Sequence, residues 1–317
     1  MKLKNILTYI LEKRFLNETL KFLLLKKNRS ISSKNVNDVT KYLIKRFRIS
    51  LGYYPSIENP LSFNEKILWT KLHWRSDLAR KCADKLALKD YLLDCGLSDF
   101  IPKTIKCYST SDDFINDVDN LPSNCVIKTN HDSGSVFIKT KNLSKKALSK
   151  GYTKIVKGFN NGPYTKSFEW VYENIEKRIF VEEKIGDSVS SIPDYKFFCF
   201  NGEPCYVFVA SNRNGLLTKF DYFDMDWNWL KVKNVHYHAK NKPLKPYNLN
   251  EMINLCRIVS KPFSQVRVDL YSYKDRLYIG ELTFFHYAGD QKFSPRAFDY
   301  EMGSKWNLLT IPKNEVI

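Results

Sequence analysis

The sequence predicts an α+β protein, with a mostly helical N-terminal region followed by two mixed lobes around a cleft. Three observations predict it. Apolar residues recur at i, i+3, i+4 spacing through about residue 95. After Ile101 and Pro102 the texture changes to short β-type runs separated by polar turns, and from Arg178 onward strands dominate. Residues 1–95 are therefore expected to form the helical region, 96–182 a small lobe, and 183–317 a larger lobe rich in antiparallel strands.

In the helical region, residues 1–30 carry eight Lys or Arg against two Glu, with Leu3, Leu7, Ile10, Leu11 and Phe15 at helical spacing. Such a basic amphipathic helix either docks on the protein's own core or makes peripheral contact with an anionic membrane. DVTKYLIKRFRISLGY and FNEKILWTKLHWR repeat the helical pattern, with Ser62 and Asn64 near the start of the second. A further helix is expected through DLARKCADKLALKDYLLDCG, ending at Gly96. On it Lys85 and Lys89 lie one turn apart, either facing a shared anion or forming a solvated basic face.

The small lobe is predicted from the strands TIKCYS, NCVIKTN and SVFIKTK and the helical stretches SKKALSKGYTKIVKGF and SFEWVYENIEK. The larger lobe follows with RIFVEEKI, YKFFCFNG, PCYVFVASNR and FDYFDMDW, the helix LNEMINLCRIVSKPF, and a terminal hairpin, VRVDLYSYKDRLYIGELTF. That hairpin holds one acid in each arm, Asp269 and Glu281. With a loop of Lys274, Asp275 and Arg276, Asp269 faces Glu281 and Arg267 faces Thr283; a two- or four-residue loop sends the acids to opposite faces. Two carboxylates directly across a strand pair repel unless something positive lies between them. A divalent cation suits the oxygen donors, and a salt bridge from Asp269 to Arg267 or Lys196 is the structural alternative.

The chain's 317 residues, 43% hydrophobic and 15% aromatic, supply a sizeable core. A net charge of +17 and a pI near 9.4 direct attention to nucleic acid, anionic lipid, nucleotides or acidic glycans, without choosing among them. The seven cysteines are widely spaced and lack a CxxC pair, as expected of reduced thiols in a cytoplasmic protein. No apolar run has the length of a membrane span, and the run FLLL at 22–25 does not make a signal peptide. GxSxG and HExxH are both absent, so hydrolase motifs give no support.

Several other stretches have chemical meaning. In NCVIKTNHDSGSVFIKT, Lys128 ends a strand before a loop in which Ser133, Gly134 and Ser135 offer backbone N–H groups and hydroxyls suited to phosphate; a plain hairpin turn explains the same letters. RIFVEEKI turns abruptly charged at Glu182, Glu183 and Lys184, and Lys196 sits among aromatics, where an anionic partner is expected. His236 and His238 share one face if VHYHAK is a strand, but no third zinc ligand lies nearby. His286 is placed to touch substrate or product phosphate, Arg213 and Arg296 either clamp an acidic glycan or occupy plain surface positions, and Trp227 and Trp229 stack on sugars or pack internally.

The ordered series DK, VIK with its Ser/Gly loop, VEEKI, YKFF, RVD and GELT resembles the ATP-grasp superfamily. FRISLGYYPSIENPLSFNEKILWTKL, DYKFFCFNGEP and GELTFF resemble its TupA-like family, associated with bacterial surface polysaccharide and teichuronopeptide biosynthesis; the likeness runs over roughly residues 46–310. The resemblance implies an ATP-grasp fold, two α/β lobes clasping ATP. It implies that Lys85 and Lys128 embrace the phosphates, that Ser133, Gly134 and Ser135 form the closing flap, and that Glu182, Glu183, Lys184 and Ile185 read adenine at the hinge. By the same resemblance Asp187 or Asp194 reaches the ribose, Lys196 is a further phosphate lysine, Arg267 steadies an acyl phosphate, and Asp269, Glu281 and Thr283 hold Mg²⁺. Two positions depart from the pattern: Thr283 stands where Asn is common, and Asp132 in the flap where relatives tend to have Gly.

The implied activity is an ATP-dependent ligase, joining an amine or amino acid to a carboxylate on a surface-polysaccharide precursor or acidic peptide. The expected setting is cytoplasmic, with contact at the inner membrane face as a minor reading. A sugar kinase or glycosyltransferase-type enzyme is one alternative. A basic nucleic-acid-binding module is another, and the enzyme-like motif order argues against it, so no nucleic-acid partner is expected.

Overall fold

The computed structural model describes residues 36–160, 167–186, 192–211 and 218–317. The expected helix at 1–30, Asp187 and Arg213 lie outside the described residues. Among those described, eight α-helices and ten strands build two antiparallel sheets. No helix among them is long and apolar enough to cross a membrane.

The helical region contributes α1 (Val36–Leu51), α2 (Phe63–His73), α3 (Asp77–Ala83) and α4 (Ala87–Asp94). A capping box starts α2: the Ser62 hydroxyl accepts from the Glu65 N–H, and the Glu65 carboxylate accepts from the Ser62 N–H. The single helix expected over 77–95 is two. Asp84 adopts an extended ψ of 117° and ends α3, while its carboxylate accepts from the N–H groups of Leu86 and Ala87 at the head of α4. An Asp that bonds its neighbours' backbone competes with helix continuation, and here it wins.

The small sheet runs in the order β1 (Thr104–Tyr108), β4 (Ile179–Glu183), β2 (Cys125–Thr129), β3 (Val136–Lys139). One face buries Cys125, Ile127, Ile179 and Val181 against Phe114 of α5 (Ser111–Asp117) and Ile155 of α6 (Lys145–Asn160). Lys128 and Glu182 belong to the opposite face, which Lys89 of α4 reaches. The stretch 167–177, expected to be helical, holds one short turn, Trp170–Tyr172. There the Trp170 indole N–H donates to the Thr70 carbonyl at 3.2 Å and its ring packs edge-on against Trp74, so burial of an aromatic decides against local propensity.

The large sheet runs β10 (Arg276–Thr283), β9 (Gln265–Tyr273), β5 (Asp194–Phe200), β6 (Glu203–Ser211), β7 (Lys219–Asp224), β8 (Trp229–Leu230). Its apolar face, with Phe197, Cys199, Val266 and Val268, covers Cys256 of α7 (Leu249–Ser260). The other face carries Asp194, Lys196, Arg267 and Asp269. Phe63 of α2 packs over it at Phe198 and Phe200, with ring centroids 5.8 and 5.9 Å apart, and α8 (Ala297–Lys305) flanks α2. All seven cysteines are free thiols. Cys82, Cys125, Cys199 and Cys256 are buried, whereas Cys107 is exposed, so not all are core groups.

The terminal hairpin reaches the expected pairing by an unexpected route. Its loop is two residues, Lys274 and Asp275, at φ 44° and 60°, and Arg276 pairs with Tyr273. An even loop alone separates the acids. A bulge between Ile279 and Glu281 adds one residue, Gly280, and restores the parity: Glu281 faces Asp269 and Thr283 faces Arg267. A loop count cannot reveal a compensating bulge five residues past the loop.

Candidate active site

The site begins at Arg267 and Asp269, two residues apart on β9 and therefore on one face. Arg267 Nε donates to Asp269 Oδ1 at 2.6 Å and its Nη2 to Oδ2 at 2.8 Å, a bidentate fork. Lys196 on β5, directly across from Asp269, also donates to Oδ2 and lies 3.0 Å from the fully buried Asp194. Burial opposes the charge on Asp269, but Arg267 and Lys196 outweigh it and hold the carboxyl below its usual range. Burial likewise opposes the Arg267 charge, and Asp269 more than compensates.

Glu281 stands opposite on β10, its side chain 22% exposed, with Oε1 3.5 Å from the Lys85 ammonium. Thr283 Oγ1 accepts from Arg267 Nη2 at 2.9 Å. Tyr172, half-buried, has its hydroxyl pushed well above its ordinary value by burial and then by the charges of Glu281 and Glu169. Sequence patterning gave no hint of Tyr172, because a tyrosine in a presumed helix carries no site signal.

The lysines expected near phosphate are not solvated. Lys85, in the break between α3 and α4, donates to the Asp132 carbonyl as well as pairing with Glu281, so one side chain ties the loop after β2 to β10. Lys89 goes elsewhere: with Lys128 it clamps Glu182, each ammonium 2.6 Å from one carboxylate oxygen. The broken helix explains why Lys85 and Lys89 do not share an anion. Burial opposes the Glu182 charge, and Lys128 and Lys89 hold it in its ionised form.

The loop 130–135 is tied down at its base. Asn130 Nδ2 donates to Asp84 at 3.0 Å and to the Glu176 carbonyl at 2.9 Å, and its Oδ1 accepts from the Arg178 N–H at 2.8 Å. In sequence Asn130 reads only as a turn residue. Asp132 accepts from the hydroxyls of Thr129 and Ser135, which turns the acid into the loop and commits the buried Ser135. Ser133 and Gly134 form an exposed tip, with Gly134 at φ 98°. At the end of β4, the exposed Glu183 donates its N–H to the Lys103 carbonyl and accepts the Lys103 N–H on its carboxylate, and Lys184 donates to the Gly186 carbonyl; Ile185 is half-buried.

His286 does not project into a cleft. It is 2% exposed, and Nδ1 accepts from Arg267 Nη1 at 2.9 Å. His236 and His238 are in a loop rather than a strand; His238 lies 3.3 Å from Asp221 and the His236 ring packs on Phe220. Trp227 stacks on Phe223 at 4.4 Å, and Lys242 covers Trp229 at 3.7 Å. Arg296 lies over the Tyr53 ring at 3.9 Å.

For a magnesium ion, Asp269, Glu281 and Thr283 supply the hard oxygen donors it prefers, from adjacent strands. Glu281 presents the more accessible carboxylate, and both oxygens of Asp269 accept hydrogen bonds from cations. The oxygen types suit one ion, which would share Asp269 with the Arg267 fork and Lys196, and Thr283 with Arg267 Nη2. Among the described residues no group of three or more His, Cys, Asp or Glu side chains has a metal-holding arrangement.

The TupA-like ATPgrasp family model matches residues 65–307. Solved structures similar to the chain include D-alanine–D-alanine ligase from Bacillus anthracis complexed with ATP, at 17% identity and a TM-score of 0.38, covering 64% of this chain and 54% of that one. D-alanine–D-alanine ligase from Helicobacter pylori is similar at 12% identity and a TM-score of 0.42, covering 77% and 68%. N5-carboxyaminoimidazole synthase from Aspergillus clavatus is similar at 11% identity and a TM-score of 0.41, covering 81% and 58%. The chain thus spans about half the length of the Bacillus anthracis enzyme. A comparison with curated proteins finds no match.

Proposed function

This chain belongs to the TupA-like ATP-grasp family, and from that premise we propose that it is an ATP-dependent carboxylate–amine ligase acting through an acyl phosphate on a surface-polysaccharide precursor. The observation that carries the proposal is the meeting of Lys196, Arg267 and Lys85 at the facing carboxylates Asp269 and Glu281, beside a Ser/Gly loop held by Lys85.

Lys196 and Lys85, now held by Asp269 and Glu281, are cations available to a phosphate when nucleotide enters. Lys196 exchanges Asp269 for a phosphate oxygen, and Lys85 and Lys128 contribute charge from the helix break and the small sheet. Magnesium, when bound to Asp269, Glu281 and Thr283, supplies charge neutralisation at the phosphates. A substrate carboxylate oxygen forms a bond to the γ-phosphorus while the bond to ADP breaks. Arg267 stabilises the negative oxygens that result. An amine then attacks the acyl carbon, phosphate leaves and the amine gives up its proton. The Ser133–Gly134 tip covers the site and excludes water, which would otherwise hydrolyse the acyl phosphate. Backbone groups of Glu182, Glu183, Lys184 and Ile185 receive adenine, and Asp194 or Asp187 the ribose. The net charge of +17 suits an acidic glycan or peptide as the carboxylate partner.

The test is an ADP-release screen with Mg·ATP over uronic acids, acidic peptides and amino acids, with wild type beside Glu281→Gln. Release that requires a carboxylate and an amine together, and falls at least 100-fold in the variant, supports the ligase. Equal release by the two proteins removes the metal assignment, and a requirement for a hydroxyl acceptor instead identifies a kinase.

A further inference from the structure

We infer that His286 is a positioning residue for Arg267, holding the guanidinium by a neutral acceptor so that its charge stays available to the reaction. The inference rests on the role of Arg267 proposed above and adds a residue to it.

A guanidinium has five N–H donors. Among the described residues, four of those of Arg267 have partners: Nε and one Nη2 N–H go to Asp269, the other Nη2 N–H to Thr283 Oγ1, and one Nη1 N–H to His286 Nδ1. The fifth, on Nη1, is the donor left for a substrate oxygen; the Asp269 fork sets the plane of the group, and the bond of its twin to His286 hinders rotation about Cζ–Nη1. Removing that bond leaves the Nη1 end held only through the rest of the group.

The imidazole has little freedom of its own. Its ring is enclosed by Phe198, Phe208 and Tyr287, with centroids 4.9, 5.8 and 4.7 Å away, and by Phe63 and Phe293 further out. Because Nδ1 accepts, the proton of the neutral ring belongs on Nε2, which is buried and has no hydrogen-bond partner among the described residues. An apolar ring would fill this enclosure without leaving a buried N–H unpaired. What the imidazole supplies and an apolar ring lacks is an uncharged acceptor. A second carboxylate in its place, added to Asp269, would orient Arg267 equally well but would cancel the charge needed at the developing oxyanion.

Two measurements on the full chain test this. With ¹⁵N-labelled arginine, the Nη1 protons of Arg267 should give separate, slowly exchanging signals in the wild type. They should merge in His286→Phe and separate again in His286→Asn, whose amide oxygen restores an acceptor near the Nδ1 position, while the melting temperature of each variant confirms folding. Unchanged signals in His286→Phe overturn the inference. A long-range ¹H–¹⁵N histidine spectrum of the wild type needs no variant to fold: an Nε2–H tautomer for His286 is expected, and an Nδ1–H tautomer overturns the bond. Arg267→Lys in the ADP-release screen separates this from the function. Undiminished release by that variant overturns the role of Arg267, whereas loss of release together with unchanged His286→Phe signals overturns the positioning role alone.

Discussion

A Cβ added at Gly280 would lie 2.4 Å from the ring of Tyr271, the residue two positions from Asp269 on the neighbouring strand. The bulge that aligns the two acids is therefore also a close contact that only glycine permits. Gly280→Val should destabilise the fold by about 1–3 kcal/mol through overpacking, measured by urea unfolding. Deleting Gly280 should turn Glu281 to the other face and abolish ADP release. A deletion variant that keeps wild-type turnover would show that the bulge does not set the site.

Glu182 is the small sheet's buried charge. Replacing it by Gln leaves Lys89 and Lys128, each 16% exposed, without their shared counter-ion. Breaking a buried pair of this kind costs about 3–5 kcal/mol. A double variant, Glu182→Leu with Lys89→Met, should recover part of the loss. Equal stability of Glu182→Gln and wild type in a denaturant titration would mean that the clamp is solvated in solution.

Lys85 joins the loop after β2 to β10. Lys85→Met should lower ADP release at least 100-fold and should speed amide hydrogen exchange over 131–135 while leaving the large-sheet core protected. Unaltered exchange in that loop would count against the tether.

Acid should weaken the fold partly through His286. Burial first, then the charges of Arg267 and Lys196, push its imidazole well below its ordinary value; Asp269 opposes them, and the Tyr287 ring faces it. The unfolded chain therefore binds a proton below about pH 6.5 that the folded chain refuses, so this contribution is intact above that pH and declines as pH falls below it. Between about pH 7.5 and 5.5 the wild type should lose more stability than His286→Phe, by on the order of 1 kcal/mol. Parallel losses in the two proteins would mean that another group sets the slope.

The sequence by itself determined the classes of element and the chemical inventory, because hydrophobic periodicity and β-branched or aromatic content act over a few neighbouring residues. It placed Asp269, Glu281, Lys128 and Lys196 in strands and put a Ser/Gly loop after Lys128. Only the tertiary structure decided which charges meet. The bulge at Gly280, the break at Asp84 that sends Lys85 and Lys89 to different carboxylates, and the bond from Arg267 to His286 all join residues distant in the chain or depend on which faces are buried. Register and burial are set by the summed packing of both lobes, and no local pattern carries that sum.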